Sequence, residues 1–439
     1  MKRIVLALLS LSLIFSAFIV PASAADKPLY GDVNSDGAIN MKDVLAYRKY
    51  IAGMSVKFDE SVADVAVDGK VNMKDVLLMR KYIAGMDVVL GPTEPTIDYS
   101  SKTYSLSSVS DKITRFGRSA FEKSALRCDF TNSGFEFTAN CEGDVTIRLS
   151  NINNGGYMGV VIDDDYDNMT ETFVDSSMTR WTVASGLEKG EHKIRIIKLN
   201  EFNIYTNGSH ATFKSIALNG EIVENKSVEK SLKIEFYGDS LTCGYGNLTT
   251  NGTANAGSAK YENGMKTFAV YAAKELDADF SICAGSGHGI YCSNMGSKTG
   301  TVATIMDKAI DEANDKSWDY SYDADIAVIT LGTNDLTASS SGVEITQEDI
   351  ATAAKALVDK IRLHNPDCKI LWLTGITGQL KNSKLDIDSE LAKLAESTDN
   401  MTYYNGLTRS QSGGDGHPTV EQHQKLGQEV AALIRDIMK

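Results

Sequence analysis

Residues 232–240 read LKIEFYGDS, a short run of strand-forming residues that stops on Gly238, Asp239 and Ser240. Runs of the same kind recur downstream at 279–283 (DFSIC), 325–331 (DIAVITL) and 369–373 (KILWL), with a weaker one at 401–404 (MTYY). Helix-period stretches lie at 264–276, 350–364, 384–397 and 418–438. Alternation of strand and helix predicts a parallel sheet with helices on both faces across residues 231–439. Ligands of such sheets bind beyond the carboxyl ends of the strands. Four polar strings fall at that rim: Gly238-Asp239-Ser240, Gly285-Ser286-Gly287-His288-Gly289, Gly332-Thr333-Asn334-Asp335 and Asp415-Gly416-His417-Pro418.

Each string alone has an ordinary explanation, because a serine after a strand is commonly a helix cap and a glycine-rich string a turn. Their convergence at one rim is what points to chemistry. A serine hydroxyl attacks an acyl carbon only when a base takes its proton. His417, placed before the last helix, is the expected base for Ser240, with His288 as runner-up. The tetrahedral intermediate needs fixed donors for its oxyanion. The Asn334 amide and the backbone N–H groups of Ser240 and Gly287 are the candidates, with Gly289 as an alternative to Gly287.

In this order and at these strand ends the strings resemble the SGNH hydrolase superfamily, over all of 231–439. The resemblance implies an acid three residues before the histidine, but Gly414 stands there. Either Asp415 orients the imidazole, or a backbone carbonyl does so in a Ser–His dyad. The dyad is the preferred reading.

Upstream, residues 100–230 change to period two. Phe135 and Phe137, Val145 through Leu149, and Ile194 and Ile196 mark half-buried strands between Asn/Gly/Asp clusters, which predicts an antiparallel β-sandwich, a jelly roll. A jelly roll ahead of an SGNH domain resembles carbohydrate esterase family 2. That resemblance implies an acetyl esterase acting on plant polysaccharides, with acetylated xylan or mannan and 6-O-acetyl hexosides as substrates. It also implies an aromatic residue just before the histidine; Gly416 stands there, leaving Tyr291 or Trp372 as substitute sugar-stacking surfaces. No cofactor is expected for catalysis. Of six cysteines, Cys128 and Cys141 flank a predicted strand pair and could be bridged; six buried free thiols are the alternative, and the spacing suggests no zinc site.

Residues 32–53 and 64–85 match at 16 of 22 positions. Each copy opens on an oxygen-rich loop and continues as a helix ending at Gly53 or Gly85. The first loop has EF-hand spacing: Asp32, Asn34, Asp36, the Ala38 carbonyl, Asn40 and Asp43, with Gly37 at the reversal. The second offers Asp64, Asp68, the Lys70 carbonyl, Asn72 and Asp75, with Gly69 at the turn, but Ala66 at the third position brings no oxygen. Residues 30–86 resemble a type I dockerin, which implies structural Ca²⁺ in paired loops and a cohesin on a cellulosome scaffold as partner. Met41-Lys42 and Met73-Lys74 would help choose that partner. The expected modules are therefore a signal peptide at 1–24, a dockerin at 28–90, a linker at 91–99, the sandwich at 100–230 and the catalytic domain at 231–439.

The leader rests on Lys2 and Arg3 ahead of an apolar run to Val20, followed by Ala22-Ser23-Ala24. It predicts a secreted, extracellular protein. Net charge is −14, so acidic a chain that neither nucleic acid nor an anionic membrane is an expected partner. A neutral acetylated polysaccharide carries no such penalty. Two rival readings remain: an SGNH lipase or thioesterase, for which the polar 247–264 segment offers no acyl groove, and a largely non-catalytic glycan-binding module.

Overall fold

The computed structural model describes residues 28–92, 97–150, 155–202, 210–225, 229–310 and 317–439. The expected leader at 1–24 lies outside them, as does the middle of the expected linker. By contacts the chain divides into two compact units, Met1–Thr96 and Ile97–Lys439.

The first unit is built on two helices, α1 (Met41–Ile51) and α2 (Met73–Ile83). Both start with the same capping box. The Asn40 side chain accepts from Lys42 N–H while Asp43 accepts from Asn40 N–H, and Asn72 and Asp75 repeat the arrangement. Each helix is short enough that this reciprocal satisfaction of orphan amides matters to its existence. Val44 and Tyr47 of α1 meet Val76 and Met79 of α2 in a small core with Ile83 packed at its edge, whereas Ile51, at the same helical spacing as Val44 and Tyr47, is exposed.

The second unit begins with β1 (Ser101–Ser105), β2 (Ile113–Phe116), β3 (Ser119–Glu122), β4 (Ala125–Cys128), β5 (Gly134–Ser150), β6 (Gly156–Ile162), β7 (Thr170–Val174), β8 (Arg180–Lys198) and β9 (Ala211–Val223). These form a nine-stranded antiparallel sheet in the order β3-β4-β9-β5-β8-β6-β7, with β1 added to β9 and β2 to β5. The long strands β5, β8 and β9 carry register shifts that let the sheet curl around one apolar core. Cys128 and Cys141 both face that core, and no bridge joins them; all six cysteines are buried free thiols. The reason is register. Cys128 pairs with Ala211 and Cys141 with Gly220 on the same strand, which at about 3.3 Å per residue puts them tens of ångströms apart, far beyond disulfide reach.

The remaining strands are β10 (Lys233–Gly238), β11 (Asp279–Ala284), β12 (Ile326–Thr330), β13 (Lys369–Leu373) and β14 (Met401–Tyr404). All pair in parallel in the order β11-β10-β12-β13-β14. Among the described residues seven α-helices complete this half: α3 (Ser240–Cys243), α4 (Phe268–Glu275), α5 (Val302–Ile305), α6 (Thr333–Ser340), α7 (Gln347–His364), α8 (Ile387–Glu396) and α9 (Val420–Ile437). Ile234, Phe236, Val328 and Leu371 pack against α4 and α9 on one face, while Ala327, Ile329, Ile370 and Trp372 pack against α7 and α8 on the other. The three-layer arrangement is the one that strand–helix alternation predicts. Strand order reverses between β10 and β12, so the crevice at their carboxyl ends is the binding position of the fold.

The curled sheet is not merely attached to this layer. Val161, Ile197 and Leu199 enter the core behind α4 and α9, and Phe130 and Phe202 enter the other. Arg118 reaches across to Glu235 on β10. No described helix is long and apolar enough to cross a membrane.

Candidate active site

Gly238 ends β10 and Ser240 opens α3. A side chain at Gly238 would strike Thr242, with a Cβ only 2.0 Å from Oγ1, so glycine allows the sharp strand-to-helix turn. Asp239 caps the helix by accepting Leu241 N–H at 3.0 Å. Ser240 is thereby pushed to the first helical position, where its own N–H has no intrahelical partner.

His417 arrives from the loop before α9. Its Nε2 lies 2.7 Å from Ser240 Oγ, and its Nδ1 lies 3.0 Å from the Gly414 carbonyl oxygen. A carbonyl can only accept, so Nδ1 carries the proton and Nε2 is left basic toward the serine. The Gly414 carbonyl is itself fixed: it also accepts His417 N–H, while Gly414 N–H donates to Gly246 O. Gly414 has no room for the acid that the superfamily pattern places there, since a Cβ would sit 2.5 Å from Ala256 Cβ.

Asp415 has left-handed backbone angles, φ 50° and ψ 34°. That turn sends its carboxylate to the Tyr245 hydroxyl, which donates to Oδ2 at 2.9 Å. Of the two alternatives for orienting the ring, Asp415 or a backbone carbonyl, it is the Gly414 carbonyl that stands at Nδ1. Tyr245 also lies against the histidine, its ring 4.6 Å from the His417 ring. Burial pulls the His417 pKa below the usual 6.5, opposed by the Gly414 carbonyl and the Asp415 charge.

The oxyanion candidates stand at the carboxyl ends of neighbouring strands β10, β11 and β12. Gly287 has φ +80°, a conformation that favours glycine. Among the described residues neither Ser240 N–H nor Gly287 N–H donates a hydrogen bond. Asn334, at the start of α6, donates from Nδ2 to His288 O at 2.8 Å and to Asp239 Oδ2 at 3.1 Å. An oxyanion would compete with Asp239 for that second hydrogen. Asp239 is pushed up to about 7 chiefly by burial; its Leu241 contact opposes the shift, while Asp335 and Glu201 add to it. A carboxyl that readily takes a proton is a weaker competitor than a permanent anion.

His288, the alternative base, directs Nδ1 to the Gly285 and Ser286 carbonyls and is buried. Gly289 pairs instead with Gly300, its N–H donating at 3.1 Å, and a Cβ there would lie 2.6 Å from Asp335 Oδ2. Trp372 is fully buried with Nε1 3.3 Å from Leu331 O, so it is core rather than a sugar surface. Tyr291 is half-buried beneath Lys298.

Three residues carry more of this site than sequence reading assigned to them. Asp335 accepts the N–H groups of Ile290, Tyr291 and Cys292 at 2.8–3.1 Å and so ties down the loop that presents Gly287. Asp239 and Asp335 stood in the quoted strings as neighbours of other residues; the buried geometry gives them separate work. Tyr245 had no local signal at all.

In the first unit, ligand-type oxygens of Asp32, Asp36 and Asp43 gather within 4.8 Å of one another. Gly37 at φ +82° and Gly69 at +76° make the expected reversals. Asn34 Nδ2 is buried without a partner among the described residues, and a turned amide would present oxygen instead. An all-oxygen donor set of this kind fits a hard divalent cation. In the second loop Lys74 Nζ sits 2.8 Å from Asp68, and position three offers only the Ala66 N–H, which donates to Asp75.

Comparison with known families places these parts. Residues 30–84 match the Dockerin type I domain, 116–223 the Carbohydrate esterase 2 N-terminal domain, and 236–437 the GDSL-like Lipase/Acylhydrolase family. The chain thus carries, in order, a dockerin match, a carbohydrate esterase 2 N-terminal match and a GDSL-like match. Among similar proteins is a Cellulase/esterase CelE of Acetivibrio thermocellus, 30% identical over 426 residues, covering 93% of this chain and 49% of that protein. The chain thus spans about half the length of that relative. An Acetylxylan esterase / glucomannan deacetylase of Cellvibrio japonicus is 25% identical over 67% of this chain and 80% of its own. The fold matches a family two carbohydrate esterase structure from Cellvibrio japonicus at TM-score 0.67 and 20% identity, over 77% of this chain and 98% of that one. The carbohydrate esterase from Clostridium thermocellum, solved with cellohexaose, gives TM-score 0.63 at 23% identity, over 74% and 99%.

Proposed function

We propose that this esterase is a secreted enzyme removing O-acetyl groups from plant cell-wall polysaccharides, acetylated xylan or mannan, and that a cohesin holds it in an extracellular cellulosome through its dockerin. The single observation that carries the reading is the Ser240–His417–Gly414 carbonyl chain at the carboxyl end of β10. Ser240 Oγ attacks the acetyl carbonyl as His417 Nε2 takes its proton. The oxyanion is met by Ser240 N–H, Gly287 N–H and the Asn334 amide. His417 then gives that proton to the departing sugar oxygen, which leaves as a hydroxyl, and a water, deprotonated by the same ring, attacks the acetyl-Ser240 ester and releases acetate. We read the curled sheet as a jelly roll that frames this site. Acetate release from acetylated mannan and from acetylated xylan, followed with purified protein, tests the reading; no release from either would reject it.

The Gly414 carbonyl supports a dyad in which Asp415 takes no direct part. Asp415→Ala should keep kcat within about fivefold of wild type, whereas loss of a true triad carboxylate costs about 10⁴. The pH profile is a companion readout. Catalysis needs neutral His417, and its lowered pKa keeps the ring neutral further into acid. The acid limb of kcat/KM should therefore have its midpoint below 6.5. A midpoint above 6.5, or a thousandfold loss in Asp415→Ala, would reject the dyad.

Calcium would be held in the first loop by Asp32, Asn34, Asp36, the Ala38 carbonyl, Asn40 and Asp43, in EF-hand fashion. The second loop, with Asp64, Asp68, the Lys70 carbonyl, Asn72 and Asp75, is one side chain poorer. When bound, the ion neutralises the clustered carboxylates. Removing it with a chelator should lower the melting of the dockerin while leaving esterase rates unchanged; a chelator-sensitive esterase rate would contradict a purely structural ion.

A further inference from the structure

One buried carboxylate ties the curled sheet to the catalytic loops. Beyond β8 the chain runs Leu199-Asn200-Glu201-Phe202. Glu201 is 1% exposed. Its Oε2 accepts Ser286 N–H at 2.6 Å and the Cys243 thiol at 3.4 Å, and its Oε1 accepts the Ser286 hydroxyl. Ser286 immediately precedes Gly287, and Cys243 is the last residue of the helix that Ser240 begins. A single side chain from outside the parallel-sheet layer thus grips both segments that present oxyanion N–H candidates.

The strap itself is held firmly. Asn200 Nδ2 donates to Ala259 O and Glu262 O at 3.0 and 2.9 Å, and its Oδ1 accepts Tyr157 N–H at 2.6 Å. Glu201 N–H donates to Glu262 Oε1 at 2.6 Å, and Leu199 O accepts Gly264 N–H at 2.8 Å. Phe202 packs edge-on against Phe130 and against the His288 ring, at 4.9 and 6.2 Å between centroids. A tether anchored at so many points can hold a loop to the tolerance that acyl transfer requires, where a displacement of about 1 Å costs up to two orders of magnitude.

We propose that Glu201 is a positioning residue for the acyl-transfer reaction: it fixes the Ser286–Gly287 peptide against the first turn of α3 and so sets the spacing of the oxyanion donors. The β-rich half is then part of the catalytic apparatus rather than a separable binding module. This rests on the reading of Ser240 as nucleophile.

The test compares wild type with Glu201→Ala, Glu201→Gln and Glu201→Asp on a short-chain nitrophenyl acetate, with circular dichroism and melting curves to confirm folding. Glu201→Ala should lower kcat about 30- to 100-fold, less than the 10²–10³ for outright removal of an oxyanion donor, with KM within about threefold. Glu201→Gln keeps an oxygen for Ser286 N–H and should recover kcat to within about tenfold of wild type. Should Glu201→Ala not fold, Glu201→Asp carries the test, because its retracted carboxylate should cost about tenfold in kcat at unchanged KM. Folded variants with wild-type kcat overturn the proposal, as does a loss expressed in KM alone. An active wild type beside an unaffected Glu201→Ala overturns this inference only. A wild type that hydrolyses no ester overturns the Ser240 reading with it.

Discussion

Ser240→Ala should reduce kcat for acetyl-ester hydrolysis by roughly 10⁴- to 10⁶-fold while leaving KM near its wild-type value. The reasoning is local. Ser240 Oγ is the group to which His417 Nε2 points, at 2.7 Å, and alanine leaves the ring with nothing to deprotonate but water. Binding survives because the hydroxyl contributes little contact area. His417→Ala should cost a similar factor, since an unassisted serine hydroxyl is almost fully protonated at neutral pH. The two losses should not add: the double variant should be no slower than either single one by more than about tenfold, because the pair acts as a unit. Mass spectrometry of wild type quenched during turnover should find an acetyl group on the peptide containing Ser240. Ser240→Ala retaining more than about one per cent of wild-type kcat would exclude it as the nucleophile.

The second large effect concerns stability. Arg118 is fully buried and donates to Glu235 Oε1 at 3.0 Å, to Met306 O at 2.7 Å and to Lys308 O at 3.0 Å. Glu235 is also buried, in the middle of β10, where its other oxygen accepts the Tyr237 hydroxyl at 2.6 Å. Arg118→Met fills similar volume but leaves a carboxylate buried without its cation and two carbonyls without a donor. Removing one partner of such a pair costs about 3–5 kcal/mol. The double variant Arg118→Met with Glu235→Gln should recover part of that loss, because no uncompensated charge remains. Urea unfolding of the full chain measures both. A single variant within about 1 kcal/mol of wild type would mean that the pair does not couple the two halves.

The Glu235 case shows where sequence reading stops. LKIEFY reads correctly as a strand, because apolar residues on both sides of a parallel strand must be covered and their pattern is local. Nothing within the strand says that its one acid is neutralised by an arginine 117 positions earlier. Cys128 and Cys141 make the same point in reverse: adjacency to predicted strands suggested a bridge, and the register on β9 forbids it. Helices were legible where amphipathic and capped, as with α7 and α9; the short α3 and α5 lack a full period and were not.

For the site, sequence order at the strand ends was enough to nominate Ser240, Gly287, Asn334 and His417, because topology delivers those ends to one rim whatever the side chains do. The third partner of the histidine was not decidable that way. It depends on a left-handed turn at Asp415 and on close packing of Gly414 against Gly246 and Ala256, contacts between segments more than 150 positions apart. Glu201, Asp335 and Tyr245 were hidden for the same reason.

By itself, then, the sequence determined the order of modules, the parallel and antiparallel layers, the paired oxygen-rich loops and the rim on which the candidate catalytic residues gather. These follow from periodicity, capping and spacing, all of which act over a few neighbouring residues. Only the tertiary structure decided that a carbonyl occupies His417 Nδ1, that the thiols stay unbridged, and that Arg118 and Glu201 bind the curled sheet into the catalytic half. Such choices are made by which buried polar groups find one another, and burying them unpaired is too costly for the fold to leave open.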